Sequence, residues 1–344
     1  MKKNIFILGL LVIVSACKTS DVVEQKSVVA SESDFTIAFG SCNKHDEVNP
    51  LWDDVLATNP DLWIWGGDNI YADTDNMEEL RSVYDAQNNI PGYKKMKETV
   101  PVIGTWDDHD YGLNDGGVEF KAKKDSEQEF LDFMGVAKDS PRRTREGVYA
   151  VHNYNLPEGK IKVLVLDTRY FRTALTPSTS KERRVQPNVY GEGTILGEQQ
   201  WKWLTEELTN SDADFNILVS SVQYLSNKHG FEGWGNFPHE VDKLKRLLKD
   251  SKAKGAMILS GDRHISEFSV DNIDGIEYPL VDFTSSGLTH TYTGFSGEEN
   301  PYRVGEVIFV KSFGMLDFNF KTKIVNFKMI GDNGKVLEQL RQKY

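Results

Sequence analysis

The chain has 344 residues, 39% hydrophobic, 11% aromatic and 27% charged, which is enough apolar material for a sizeable core. That composition, with only two cysteines, excludes low-complexity disorder, a collagen-like repeat and a disulfide framework. The formal net charge is −12, and −14 once Lys2 and Lys3 leave with an export segment. So acidic a chain excludes nucleic acid as a stable partner and broad binding to an anionic membrane, both of which need a basic footprint.

At the N-terminus, Met1-Lys2-Lys3 precedes an apolar run of ten residues, Ile5 to Val14. A spanning helix needs ~20 apolar residues, so the run reads as the core of a signal peptide covering residues 1–16. Val14-Ser15-Ala16-Cys17 resembles a bacterial lipobox. The resemblance implies cleavage after Ala16, lipidation of Cys17, and membrane attachment through that lipid alone. Residues 17–33 are polar and read as a tether, and residues 34–344 as one catalytic domain. The expected product is an exported, membrane-anchored lipoprotein, periplasmic or at the cell surface, and a monomer. With Cys17 lipidated, Cys42 is the sole thiol outside the cytoplasm, so it must be buried or bound to metal.

Strand and helix patterns then alternate. Phe35–Phe39 is a strand, Leu51–Thr58 a helix, and Leu62–Trp65 a second strand. Helical patterns cover Met77–Gln87 and Gly92–Thr99, followed by a strand at Val102–Trp106 and a helix at Lys121–Met134. Strands are expected at Val148–His152, Ile161–Asp167, Phe215–Ser220 and Ala256–Ser260, with helices at Gly197–Thr209 and Val241–Lys249 between them. The remainder is β-patterned: Leu280–Phe283, Gly305–Phe313, Met315–Phe320, Ile324–Met329 and Val336–Leu340. This order predicts an α/β fold with two packed sheets flanked by helices.

Four apolar strands stop at residues able to hold metal: Cys42; Asp68 and Tyr71; Asp108, His109 and Asp110; Asp262 and His264. In α/β sheets ligands bind at the carboxyl ends of strands, where loops converge. One strand-end Asp is ordinarily a turn or helix cap, but four such clusters are hard to assign to turns. There is no G-x-S-x-G elbow, no phosphate loop of the G-x-x-x-x-G-K-[ST] type, no G-x-G-x-x-G and no H-E-x-x-H helix. What survives is a two-metal site with mainly carboxylate ligands.

Phe39-Gly-Ser-Cys42, Gly66-Gly-Asp-Asn-Ile-Tyr71, Trp106-Asp-Asp-His-Asp110, Leu166-Asp-Thr-Arg169, Gly197-Glu-Gln-Gln-Trp201, Trp234-Gly-Asn-Phe-Pro-His-Glu240 and Ser260-Gly-Asp-Arg-His264 together resemble the alkaline phosphatase D family of calcineurin-like metallophosphoesterases. The resemblance implies an αββα sandwich of two mixed sheets, hydrolysis of phosphomonoesters or phosphodiesters outside the cytoplasm, and an iron(III)–calcium site with one or two calcium ions. Another divalent pair is the alternative. Two features depart from the family: no N-terminal β-rich domain fits before the first motif, and Asp110 stands where the family often has Glu.

Ligand chemistry suggests roles within that frame. Asp68 is the best bridging carboxylate. Cys42 and Tyr71 resemble the thiolate and phenolate ligands that select iron(III). Asp262 and His264, two apart, share a face, and Asp108 supplies the oxygen that calcium prefers, with Asp107 second in rank. His109 is the expected acid beside the scissile phosphate, oriented by Asp110. Arg169 is the expected phosphate clamp, with Arg263, Arg172 and Gln223 as weaker substrate contacts. Trp234–Glu240 reads as a structural loop. Counting charges, Cys42, Asp68, Tyr71, Asp108 and Asp262 as anions would cancel one iron(III) and one calcium, so attraction for phosphate would have to come from a second calcium or from Arg169. The competing readings are a dedicated phosphodiesterase or phospholipase, and a surface lipoprotein that binds without turnover.

Overall fold

The computed structural model describes residues 33–344. The expected signal peptide, Cys17 and nearly all of the tether lie outside the described residues.

Alternation within single strands sets the layering. In β1 (Phe35–Gly40), Phe35, Ile37 and Phe39 enter one apolar cluster while Ala38 enters another. β2 (Leu62–Gly66) repeats the division, with Leu62 and Ile64 on one side and Trp63 and Trp65 on the other. Side chains of a strand alternate with period two, so each strand serves two cores at once. β1 and β2 run parallel with β3 (Val102–Thr105). On its other side β1 pairs antiparallel with β13 (Ser312–Asn319), Phe35 opposite Phe318, and β14 (Ile324–Gly331) and β15 (Val336–Lys343) extend that sheet. The order is β15-β14-β13-β1-β2-β3.

The second sheet has the order β12-β10-β11-β9-β8-β5-β4. Its parallel centre is β5 (Lys160–Val165), β8 (Phe215–Val219), β9 (Ala256–Ser260) and β11 (Leu280–Ser285). β4 (Ala150–Asn155), β10 (Ser266–Asp271) and β12 (Arg303–Ile308) join antiparallel, and β6 (Thr176–Pro177) and β7 (Val185–Gln186) form a separate ribbon.

Between the two sheets lies a core of Ile37, Phe39, Val163, Ile217, Leu259, Phe283 and Leu316, with Phe39 edge-on to Phe283 at 4.8 Å. Outside the first sheet pack α1 (Trp52–Ala57), α2 (Met77–Asn88), α3 (Pro91–Thr99) and α5 (Lys123–Phe133); the one-turn α4 (Asp108–Tyr111) lies between α3 and α5 in the chain. There Trp52 meets Trp63, Trp65 and Tyr93 at 5.3, 5.7 and 5.2 Å. Each such ring pair contributes about 0.5–1.5 kcal/mol beyond the area it buries. Outside the second sheet pack α6 (Gly197–Thr209) and α7 (Pro238–Ser251) through Trp201, Leu204, Leu208, Leu244 and Leu248. The helix–sheet–sheet–helix order is the αββα sandwich expected from the sequence.

Besides the short α4, β6 and β7, sequence and structure part company at β10 and ahead of β13. β10 carries no apolar run, because Ser266, Glu267 and Ser269 are buried polar residues flanking Phe268. The apolar pattern over Gly305–Phe313 is not one strand: β12 ends at Ile308 in the second sheet, and the chain crosses at Phe309–Lys311 to begin β13 in the first. Among the described residues no helix is long and apolar enough to cross a membrane.

Candidate metal centre

β1, β2 and β9 each hand the chain to a site residue through a sharp turn, and β3 leads into the one-turn α4. Cys42, Asp68, Asp262 and His264 all have left-handed backbones, with φ of 59°, 49°, 69° and 55°. That conformation is uncommon for residues with a side chain, and such strain collects at functional sites. The loops also pack tightly against one another. A Cβ on Gly67 would stand 2.7 Å from that of Asp107 and 2.8 Å from that of Ser221, so glycine alone lets the strand ends of the two sheets meet.

The side chains converge. Cys42 Sγ lies 3.3 Å from Asp68 Oδ2 and 3.0 Å from Ser286 Oγ. Tyr71 OH donates to Asp68 Oδ2 at 3.2 Å and lies 3.1 Å from His264 Nε2. Asp108 accepts from the backbone N–H of His109 at 3.0 Å and of Asp115 at 2.7 Å. Three sets offer ligand atoms within 4.8 Å of one another: Cys42, Asp68 and His264; Asp68, Asp108 and His109; and Asp107, Asp108 and Asp262. Asp68 joins the first two sets and Asp108 the last two.

Electrostatics make this arrangement unfavourable without a cation. Burial, then the Cys42 and Asp108 charges, push Asp68 well above the carboxylate range. Burial and the Asp108 charge raise Asp262 to about 8, and burial and Asp68 raise Tyr71. Asp68 Oδ1 and Asp107 Oδ2 are buried without a hydrogen-bond partner. Each of these carboxylates thus keeps one buried oxygen without a donor, a cost of about 1–3 kcal/mol apiece that a bound cation removes. Burial also holds His264 below its ordinary value, which keeps it neutral, the form that ligates. The donor set therefore fits metal ions.

Not every expected residue joins this set. Arg169 is fully buried and ion-paired with Asp107 and, at 2.6 Å, with Glu232, so its charge is already committed. Arg172 holds the other Glu232 oxygen at 2.9 Å. Asp110 does not orient His109. Its carboxylate caps α4, accepting from Asp107 N and from Asn69 Nδ2 at 2.6 Å each, because the next residue along a helical turn faces away from its neighbour. The partner of His109 Nδ1 is Asp73, at 2.8 Å, a loop aspartate with no periodic signal in the sequence. Gln223 donates to Glu267 and Thr284 at 2.8 and 2.9 Å, neither of them a residue of the three sets. The 234–240 loop is held by Trp234 Nε1 on Ser220 and Glu240 on Trp201, which fits a structural role. Ser286 went unnoticed in the sequence; its Oγ also accepts from His264 N at 2.7 Å.

A pocket of about 310 Å³ opens onto Asp108, His109, Asp262 and His264, and its walls include Arg184, Phe231, Glu232, Arg263 and Tyr292. Its size is at the small end of ligand cavities. Arg263 and Arg184 bring guanidinium groups to it, in place of Arg169.

Removing Arg169 leaves two buried carboxylates without their partner. Arg169→Ala is expected to destabilise the fold by about 3 kcal/mol or more, seen as a lowered Tm in thermal unfolding. A Tm within a degree of the parent would show that the network is not what holds Asp107 and Glu232.

The sequence model of the family described as PhoD-like phosphatase matches residues 37–300, most of the chain. The chain belongs to the PhoD-like phosphatase family. Alkaline phosphatase D of Bacillus subtilis (strain 168) is 22% identical over 307 residues, covering 75% of this chain; this chain spans about half, 52%, of that relative's length. A solved structure of PhoD matches 91% of this chain and 69% of its own, with a TM-score of 0.69 at 17% identity. A dimetal phosphatase from Danio rerio matches 91% of this chain and 100% of its own, with a TM-score of 0.57 at 14% identity. GAP50, the anchor in the inner membrane complex of Plasmodium, matches the same 91% with a TM-score of 0.56 at 13% identity. At such identities these structures show a shared fold. In this PhoD-like chain, the strand-end residues that carried the motif resemblance are the residues the fold gathers.

Proposed function

We propose that this PhoD-like chain is an exported, metal-dependent hydrolase of phosphoric esters, acting on phosphomonoesters, phosphodiesters or both. The observation that carries the reading is the set of three ligand groups linked through Asp68 and Asp108 beneath one pocket. A pair of cations held there supplies a lowered pKa for water and a Lewis-acid hold on a phosphate oxygen. Cys42, Tyr71, Asp68 and His264 form the set suited to iron(III), and Asp108, Asp262 and Asp107 the all-oxygen set suited to calcium, with Asp68 between the two as the bridging carboxylate. Another divalent pair would use the same residues. His109 lines the pocket and, held through Nδ1 by Asp73, keeps its other nitrogen for the leaving oxygen. Arg263 and Arg184 face the pocket and can meet the phosphate charge there while paired with Glu298 and Asp115, whereas Arg169 does not face it.

Assay of the purified protein on p-nitrophenyl phosphate and bis-p-nitrophenyl phosphate, with metal analysis alongside, tests the reading. Turnover that disappears with a chelator is the expected result, and turnover of the diester alone would narrow it to a phosphodiesterase. A folded, metal-replete protein inert toward both would favour a binding module instead. For the iron site, the isolated protein is expected to show a visible charge-transfer band that Tyr71→Phe shifts or removes. A colourless, iron-free and fully active protein would overturn that choice of metal.

Export and anchoring rest on residues 1–17 of the sequence. Cys17→Ser is expected to leave an exported protein that no longer partitions with detergent-extracted membranes, because its acyl chains are lost. Unchanged membrane association would refute lipidation at that residue.

A further inference from the structure

Resting on the phosphoester reading of the pocket, we propose that Glu298 is a specificity-determining residue that fixes the width of the pocket mouth. Two walls of the pocket, Phe231 and Tyr292, come from separate loops. Arg263 joins them. Its guanidinium lies over the Phe231 ring, 4.3 Å from the centroid, and its Nη2 binds both Glu298 oxygens at 2.9 and 2.7 Å. Glu298 belongs to the same 286–302 connection as Tyr292.

The connection is anchored at further points. Tyr292 N donates to His264 O at 2.8 Å, so the wall residue is tied directly to a site residue. Arg303 Nη1 donates to Glu298 O at 2.7 Å, while its Nε donates to the buried Glu267 at 2.7 Å. Side-chain exposures of 5% for Arg263 and 18% for Glu298 mark the pair as largely desolvated, unlike a surface ion pair. Arg263 is thus a brace between two loops as well as a positive wall, and Glu298, which does not line the pocket, holds it in place. With the brace intact the mouth admits esters whose leaving group is small or a single ring. Fused-ring and branched leaving groups require the 286–302 connection to move.

The test uses the full metal-loaded chain and two non-hydrolysable probes, phenylphosphonate and 1-naphthylphosphonate. In Glu298→Ala the naphthyl probe is expected to bind about 10-fold more tightly relative to the phenyl probe than it does in the parent, the size of discrimination an apolar wall provides. Amide exchange at residues 290–296 is expected to quicken about 10-fold, since a tied segment becomes free to open locally. Glu298→Gln, which keeps a hydrogen bond without the charge, should fall between parent and Ala, and stands in if the Ala variant fails to fold. An unmoved Kd ratio overturns the proposal, whether or not exchange quickens. If the parent binds neither phosphonate and hydrolyses neither nitrophenyl ester, the phosphoester reading itself fails; if it hydrolyses one and the ratio is unmoved, only the brace is lost.

Discussion

Asp68→Asn is expected to lower kcat/KM on p-nitrophenyl phosphate by about 1,000-fold or more, because one carboxylate belongs to two ligand groups and its loss disturbs both cations. The substitution separates ligation from folding. Asp68 is buried and its pKa lies well above the carboxylate range, so its ionised form opposes the metal-free fold. The sign follows from linkage: a carboxyl raised in the folded state loses stability as pH rises from its unfolded value through its folded one. An amide of the same shape escapes that loss. The metal-free variant should therefore melt no lower than metal-free parent at neutral pH, while metal analysis of the loaded variant shows reduced content. Activity within 10-fold of the parent would remove Asp68 from the bridging position.

His109 gives the second large effect. His109→Ala is expected to reduce kcat by about 100- to 10,000-fold, the range for loss of a positioned acid. Burial works against the imidazolium, but the Asp73 hydrogen bond and the charges of Asp108 and Asp73 outweigh it and hold His109 at about 9. An acid must carry its proton, so activity is expected to decline as pH rises through about 9. Cations nearby act in the opposite direction and place that limb at or below this value. Asp73→Asn removes the hydrogen-bonded charge and should move the limb to lower pH by about 1 unit or more. For stability, this raised histidine contributes fully below its unfolded value and loses its contribution as pH passes the folded one. An alkaline limb unmoved by Asp73→Asn would mean that another group limits the rate.

The candidate site was legible where chemistry and strand ends coincided. Cys42, Asp68, Tyr71, Asp108, Asp262 and His264 each follow an apolar strand within a few residues, so topology alone brings them together. Two kinds of information were hidden. The partner of a charge is set in three dimensions: Arg169 reads as a phosphate clamp until Glu232, 63 residues on, is found beside it. Loop residues without periodicity carry no signal, which is why Asp73 escaped and Asp110, adjacent in sequence, stood in its place. In the fold the same limit applies to β10, whose buried Ser266, Glu267 and Ser269 find hydrogen-bond partners that no hydropathy pattern reveals.

The pairing of β1 with β13 orders events in time. Phe35 lies opposite Phe318, so β1 has one neighbour close by in sequence, β2, and another that the ribosome delivers long after it. Long-range strand pairs form slowly, because a long loop must close before any contact rewards it. A growing chain cannot finish this sheet before β13 has been made, and until then Ile37 and Phe39 have no completed layer to cover them. Such a polypeptide stays open late. The metal centre, needing Cys42 from one sheet and His264 from the other, closes only when the two sheets have come together.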